Sequence, residues 1–461
     1  MTGCAFQLLF GKIFAFYSTK WVFLFCVVLF EAGSLICALA PTSAVFILGR
    51  AVSGVGSAGI FTGSIVLTMH IIPLRQRPIY QSVMGVCMIV SSVVGPLIGG
   101  AFTTHLTWRW CFWINLPIGG VTIVLLILLL PAANINRTEE EIKAEGMTLG
   151  EKIWRMDPIG TACFLPCIVC LLLALQWGGA TYAWNDGRII ALWVIFGVLG
   201  VAFCVVQVWQ QEDATLPPRI LAYRSVTAST WFAFCISASM MAVVYYLPLW
   251  FQAIQNVDAV QSGIRVLPII VAIVVASMIA GPTVSVVGYY TPFLIASSVV
   301  MSVGAGLLML FKVDTPQPTW IGYQVVFGFG IGLGQQQAGL AAQTVLPTKD
   351  VPIGVSLKFF GQSLGGAIFV SVAQSVLNQK MVAGLTELNI PDFDPNVVVS
   401  LGATELRDYV PPEFLDRVLV VYNDAITGTF LVALIVAALS LVGSLLTEWK
   451  SVKGKNLKGA V

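Results

Sequence analysis

The chain has 461 residues, of which 57% are hydrophobic and only 10% are charged, whereas soluble domains carry about 25% charged residues. A soluble chain of this size needs far more polar surface, so the composition excludes a water-soluble enzyme, a secreted disulfide scaffold and a disordered protein. The formal net charge of +2 indicates no nucleic-acid partner. Most of the chain is therefore expected to lie in a lipid bilayer.

Apolar runs recur along the whole chain and predict membrane-spanning α-helices, because about 20 helical residues cross the hydrocarbon layer. In chain order the twelve full-length runs are 21–40, 44–69, 79–103, 111–131, 158–177, 188–210, 226–251, 264–285, 289–311, 320–345, 352–377 and 426–447. A thirteenth run, residues 2–17, is shorter and carries Lys12 near its end. The runs lack strand alternation and contain the Gly and Pro typical of membrane helices. The predicted fold class is an all-α polytopic membrane protein.

The basic residues between the runs indicate an orientation. If the C-terminal tail is cytoplasmic, alternating connections place 15 of the 24 Lys and Arg residues inside and 7 outside, and the other two lie within runs. This distribution agrees with the positive-inside rule. The long connections 132–157 and 379–425 then fall inside and outside respectively. Asn136 begins a glycosylation sequon in the inner connection, so we expect it to stay unmodified.

The number of spans carries a further expectation. Thirteen spans and a cytoplasmic C-terminus put Met1 outside, whereas a multispanning protein without a signal peptide usually begins inside. One more helix ahead of Met1 would restore that arrangement. The parity therefore predicts a fourteen-helix protein whose first helix is missing from this chain.

No pattern in the sequence indicates catalysis or a bound cofactor. A phosphate loop of the G-x-x-x-x-G-K-[ST] type is missing, and the two histidines, His70 and His105, are far apart in the chain. The ten cysteines lie in or beside apolar runs, where we interpret them as small buried hydrophobic residues. We expect no enzyme activity, no catalytic residues, no cofactor and no metal. Ion-driven or passive transport of a solute remains.

The strongest local pattern runs from Gly85 to Gly100. Gly95 and Gly99 stand four residues apart and permit close helix approach, and Pro96 removes a backbone donor and bends the helix. The pattern is consistent with a moving seam between the two halves of a transporter. It is equally consistent with ordinary packing of a membrane helix.

Three ionisable side chains within spans are candidates for function. Arg50 costs about 2.5–3.5 kcal/mol in a membrane span, so it should face protein or a water-filled cavity, unless it snorkels to the nearby outer end. Glu31 is the only acidic residue well inside a full-length run, and it is either a proton carrier or a neutral hydrogen-bonded side chain. We interpret Lys358 as snorkelling toward the cytoplasmic end of its helix.

Polar side chains that are too costly to face lipid are candidates for the lining of a substrate cavity. They are Gln335, Gln336, Gln337, Gln343, Gln362 and Ser363. Tyr245 and Tyr246 are further candidates, because their rings add aromatic surface that can contact varied ligands. Successive helical residues point about 100° apart, so the three adjacent glutamines cannot all line one cavity. The alternating glycines from Gly328 to Gly334 fit close helix packing equally well.

In these motifs the chain resembles the major facilitator superfamily, and within it the fourteen-helix drug:proton antiporters of fungi. The stretch from Gly85 to Gly100 is similar to the antiporter motif of the family's fifth helix. The stretch 48–59, with Arg50, is similar to the motif of the fourth. Further similar stretches are 73–80, which includes Arg75 and Arg77, and also 108–119 and 262–268. The resemblance implies that Arg50 takes part in proton coupling and that Gly95 and Pro96 lie between two bundles.

The resemblance also implies two six-helix bundles around a central cavity, with two inserted helices. The chain then divides into an N-terminal bundle 1–131, a cytoplasmic loop 132–157, inserted helices 158–211, a C-terminal bundle 212–447 with the external loop 379–425, and a basic tail 448–461. The sequence departs from the family in its loop after the second helix. That loop has an acid in a G-x-L-x-D-x-x-G-R-[RK] pattern, whereas 11–20 has lysines and no acid.

The predicted function is proton-coupled efflux of amphipathic small molecules, such as drugs or fungal toxins. The expected partners are that substrate, protons and the lipid bilayer, and the protein is expected to be a monomer in the plasma membrane. Two alternatives stay open. One is a proton symporter for siderophores or nutrients, and the other is a non-transporting sensor or an inactive truncated transporter.

Overall fold

The computed structural model describes residues 2–130, 148, 151, 154–179, 182–388, 390 and 410–453. The N-terminal half consists of α1 (Thr2–Phe16), α2 (Thr19–Leu39), α3 (Ser43–Ile71), α4 (Arg77–His105), α5 (Trp110–Trp113) and α6 (Asn115–Leu129). Next come α7 (Pro158–Trp177), α8 (Gly187–Gln210) and the short α9 (Pro218–Ala222). The C-terminal half consists of α10 (Arg224–Gln255), α11 (Ala259–Arg265), α12 (Leu267–Val287), α13 (Thr291–Leu308), α14 (Gln317–Gly334), α15 (Gln337–Val345), α16 (Val351–Glu387) and α17 (Leu415–Leu446).

The helices match the predicted fold class. Among the described residues, ten helical stretches are long and apolar enough to cross a membrane, and Thr2–Phe16 is a shorter apolar helix. Helix α4 and the pair α14–α15 also cover the predicted runs 79–103 and 320–345. Apolar runs become helices because backbone groups in hydrocarbon must bond within their own segment. The all-α polytopic membrane protein is confirmed, while the count of thirteen spans stays a prediction.

The two long connections are described only in part. Helix α16 continues to Glu387 and α17 begins at Leu415, so helix enters both sides of the predicted connection 379–425. Both helices therefore extend beyond the predicted apolar runs, since polar residues continue the helical bonds there. Most of 132–157, including the sequon at Asn136, lies outside the described residues, as do the last residues of the tail.

Helices α2 and α3 pack closely because glycines of one helix face the backbone of the other. A Cβ added at Gly56 would lie 2.6 Å from Phe30 N, and one at Gly49 would lie 2.9 Å from Cys37 N. Apolar helices in lipid gain no hydrophobic drive to associate, so close contact of this kind holds them together. Glycines of the 48–59 motif therefore serve the packing of α3.

The C-terminal half has its own core around α10. Trp250, Phe251 and Phe327 are fully buried there. The ring of Trp250 contacts that of Phe311 with centroids 4.7 Å apart, and its Nε1 donates to Asn423 Oδ1 at 2.8 Å. The indole thus fills apolar space while its polar atom is satisfied.

Helices α7 and α8 form a pair at the side of the two halves. Phe164 of α7 contacts Phe203 of α8 at 4.9 Å and Phe360 of α16 at 5.3 Å between ring centroids. Of α8 only Ile189 and Gln207 are buried. The pair is therefore attached through α7, and α8 turns most of its apolar surface outward.

The two halves meet where α1 packs on α16 and α4 packs on α12. We call the end of the bundle that carries Lys12, Lys20, Arg75, Arg77 and Arg219 the basic end. The helices alternate in direction, so the last turns of α1, α3 and α12 lie at this end beside the first turns of α4 and α16. This arrangement positions the groups described next.

Candidate substrate and coupling site

A small polar cavity lies between the halves. It has a volume of about 50 Å3 and is lined by residues of α3, α4 and α16 and of the α14–α15 junction. Lys358 of α16 lines it, is only 3% exposed, and donates from Nζ to Gln362 Oε1 at 2.6 Å. Gln362 is one turn farther from the basic end, so the ammonium group points away from that end. The predicted snorkelling of Lys358 is therefore wrong.

The N-terminal half supplies the opposite wall of this cavity. Gln81 of α4 is buried, and neither of its side-chain amide atoms has a hydrogen-bond partner among the described residues. Gly85, one turn on, leaves room for the Gln336 amide, which a Cβ at that position would meet. The rings of Phe61 and Phe359 lie 6.1 Å apart between centroids. A buried lysine, one amide without a partner among the described residues, and two aromatic rings thus line one cavity.

The structure brings three of the predicted cavity residues together and separates others. Gln335, Gln336 and Gln362 all line the cavity. Gln343 lies nearer the basic end, where its Oε1 accepts from Arg77 Nη1 at 3.4 Å. Tyr246 is buried in the C-terminal half, and Tyr245 is 63% exposed. Neighbouring residues on one helix have opposite fates because they point about 100° apart.

Glu31 and Arg50 both lie in the N-terminal half, but they do not touch. Glu31 is half-buried; its Oε2 has no hydrogen-bond partner among the described residues, and its Oε1 lies where a Cβ on Gly119 would be. Arg50 is exposed, with its guanidinium carbon 5.9 Å from the ring centroid of Phe112. The acid thus faces α6 and the base faces α5.

The glycine motif of α4 serves two environments. Its first member, Gly85, lies against the opposite half. A Cβ at Gly95 or Gly100 would meet nothing within 4 Å, and one at Gly99 would come only to 3.9 Å from Cys111 Sγ. For Pro96 the structure describes only its place within α4. In this conformation the motif contacts the other half at its beginning, and the described glycines farther along have open space.

The halves are closed at the basic end. Ser285 Oγ of α12 donates to Arg75 O at 2.6 Å, and a Cβ at Gly281 would lie 2.8 Å from Pro78 O. On the other side of the bundle, a Cβ at Gly11 would collide with Ser356 of α16. Arg77 holds its own turn by donating to the carbonyls of 69 and 72, each at 2.9 Å.

A hydrogen-bonded centre around Asp157 was missed from the sequence. Asp157 is fully buried, and its Oδ1 accepts from Gly160 N at 2.6 Å. Its Oδ2 accepts from Gln207 Nε2 at 2.7 Å and from Thr215 N at 2.8 Å. The available signal was an acidic residue directly before a proline, the pattern of an N-cap with proline at the first helical position.

Lys12 belongs to the same region. Its Nζ donates to the carbonyl oxygens of Asp213 and Ala214, the latter at 2.9 Å. Residues 11–20, which include Lys12, contain no acidic residue. The lysine instead donates to backbone carbonyls of the segment that follows α8. That segment therefore connects α1 to the pair α7–α8 at the basic end.

Arg219 joins the same segment to the start of α16. It forms a two-pronged ion pair with Asp350, Nη1 to Oδ2 at 2.7 Å and Nη2 to Oδ1 at 3.1 Å. Glu212 accepts from Arg219 Nε at 3.0 Å. The hydrogen bonds with Asp350, followed by those with Glu212, raise the pKa of Arg219. Arg219 therefore keeps its positive charge at neutral and mildly alkaline pH.

Comparison with known proteins identifies the family. A profile described as Major Facilitator Superfamily matches residues 1–370. The chain is 49% identical over 462 residues to the MFS-type efflux pump MFS1 of Arthroderma benhamiae, covering 100% of this chain and 84% of that protein. It is 49% identical over 453 residues to the efflux pump aflT of Aspergillus parasiticus, covering 98% of this chain and 87% of that protein.

The fold comparison agrees. The proton:xylose symporter XylE, solved with 6-bromo-6-deoxy-D-glucose bound, superposes with a TM-score of 0.56 at 14% identity, over 94% of this chain and 82% of that one. At this identity the likeness concerns the fold alone. The chain is therefore an integral, multi-pass member of the Major Facilitator Superfamily.

Proposed function

We propose that the protein exports amphipathic small molecules, such as drugs or fungal toxins, in exchange for protons. The observation that carries this proposal is the buried polar cavity of Lys358 and Gln81, whose walls come from both halves. A site between two halves can be opened to either side by rocking one half against the other. The relatives named as efflux pumps support the direction of transport.

The basic end faces the cytoplasm in this proposal, following the positive-inside rule, and the protein is a monomer in the plasma membrane. The conformation described above is closed at that end, as expected of an outward-facing state. Export then requires a second state, open to the cytoplasm, in which the substrate enters. The inserted pair α7–α8 supports assignment to the fourteen-helix type.

Glu31 is the proposed proton carrier. Its Oε2 lies in the protein without a hydrogen-bond partner among the described residues, and a carboxyl group so placed can exist neutral and release its proton when water reaches it. Arg50 is one helix away, and its positive charge would favour the ionised carboxylate after movement of α2 against α3. Protonation of Glu31 from outside would thus favour one of the two states.

The test is transport in proteoliposomes with an imposed pH gradient. With the basic end outward and an acidic lumen, we expect the amphipathic fluorophore 8-anilinonaphthalene-1-sulfonate to accumulate inside, because outward proton flow drives uptake through an antiporter. Accumulation under the opposite gradient would identify a symporter. No movement under either gradient, for this fluorophore or for a panel of amphipathic toxins, would refute coupled transport.

Two variants and one control test the residues. Glu31→Gln and Arg50→Ala should abolish the pH-driven component. Asp314→Asn, which changes an exposed acid beyond the end of α13, should leave it intact. Unchanged pH-driven transport in Glu31→Gln would remove Glu31 from the mechanism.

A further inference from the structure

The amino group of Lys358 lies in a place where the protein offers a positive charge little compensation. Lys358 is only 3% exposed, and its amino group donates a hydrogen bond to the neutral side chain of Gln362. Its ammonium nitrogen lies 4.3 Å from the centroid of the Phe359 ring. No carboxylate of the described residues comes within 4 Å of it. A buried ammonium without an anion is strongly unfavourable.

A second observation points to a ligand at the same place. Gln81 of the opposite half is 1% exposed, and neither amide atom has a partner in the part of the chain that the structure describes. Buried amides are nearly always hydrogen-bonded, so the Gln81 side chain is expected to bond a ligand. Both Gln81 and Lys358 line the cavity. An anionic oxygen there would accept from the ammonium and from the Gln81 amide.

The size and the walls of the cavity define what fits. Its volume of about 50 Å3 is far below the roughly 300–1,000 Å3 of pockets that hold drug-sized ligands. It accommodates one functional group, and the body of the ligand belongs in the space created when the halves separate. The rings of Phe61 and Phe359 line the same cavity. Aromatic rings pack favourably against a flat aromatic ligand.

We propose that Lys358 and Gln81 bind the carboxylate or ionised phenol of an aromatic substrate, so that the transporter prefers aromatic organic anions. This inference rests on the proposed function, since it names the class of substrate. Because Lys358 belongs to the C-terminal half and Gln81 to the N-terminal half, the anionic group bridges the two. The bound ligand would therefore favour the conformation in which the two halves are in contact around this cavity.

The test is binding to the purified full chain at pH 6, which requires no proton gradient. The probes are 1-pyrenecarboxylate and its neutral analogue 1-pyrenecarboxamide, followed by energy transfer from the protein's tryptophans, with empty micelles subtracted. We expect Lys358→Gln to weaken binding of the carboxylate about 10- to 100-fold, the range of a hydrogen bond to a charged group. Binding of the carboxamide should change less than about 3-fold.

Two further variants make the result specific. Lys358→Arg keeps the charge and should retain most of the carboxylate affinity. Lys380→Gln removes an exposed lysine from the other end of α16 and should have no effect. Equal weakening of both probes in Lys358→Gln would indicate a structural role and overturn the proposal. Equal affinity of the wild type and Lys358→Gln for the carboxylate would also overturn it, as would a wild type that binds neither probe.

The outcome is separable from that of the transport test. If the carboxylate binds through Lys358 but no pH gradient drives transport, proton coupling is wrong and the ligand class stands. If 8-anilinonaphthalene-1-sulfonate is transported under the pH gradient but Lys358→Gln leaves carboxylate binding unchanged, the ligand class is wrong and coupled export stands.

Discussion

Gly281 is the position where one added methyl group should open the basic end. It lies on α12 against α4, and an added Cβ would sit 2.8 Å from Pro78 O and 2.8 Å from Ser82 Cβ. Ordinary contact begins at 3.4 Å, so Gly281→Ala requires the helices to part by about 0.6 Å. Pro78 O is a backbone atom and cannot rotate away. The clash exists only while the basic end is closed.

Overpacking of this kind costs about 1–3 kcal/mol. If this cost falls on the closed state alone, the equilibrium shifts toward the open basic end by about 5- to 150-fold, at 1.4 kcal/mol for each factor of ten. Electron–electron distance measurements between spin labels at Gln76 and Val286 report the separation. Both positions are exposed, and labels carried on unnatural amino acids leave the native cysteines in place.

Gly197→Ala is the matched control. It makes the same change on the exposed face of α8, where a Cβ would meet nothing within 4 Å, so it should leave the distance distribution unchanged. A Gly281→Ala protein that elutes as a folded monomer, yet gives the wild-type distances, would refute the assignment of Gly281 to the closed seam.

Three further changes have expected results. Asp157→Ala leaves buried donors unpaired and should lower the free energy of unfolding by about 3 kcal/mol, seen as a lower midpoint of thermal unfolding. Arg219→Gln should lower the free energy of unfolding by about 1 kcal/mol, since the side chain is 35% exposed. Because its raised pKa keeps Arg219 charged, this loss should be equal at pH 7 and pH 9. A loss that is smaller at pH 9 would contradict the reasoning. Gly119→Ala should displace the Glu31 carboxylate and reduce pH-driven transport several-fold, whereas Gly120→Ala, whose Cβ meets nothing within 4 Å, should not.

The sequence alone determined the class of fold and the places of the helices. Apolar runs of sufficient length leave the backbone no partner but itself in hydrocarbon, so the helix is dictated locally. The same local reasoning found three cavity residues, Gln335, Gln336 and Gln362, because polar side chains in lipid are costly wherever they occur. Tyr245 was predicted for its aromatic surface, although this residue proved to be exposed.

Only the tertiary structure decided which polar groups share a space. The rotation of each helix about its axis depends on the neighbouring helices. It directs Lys358 into the cavity rather than toward the basic end, and Gln81 lines the same cavity. The sequence also could not assign partners to Lys12 or Asp157, because their partners lie at distant places along the chain. The sequence shows that a membrane span contains a charged residue, but the groups that compensate the charge are determined by the packing of the helices.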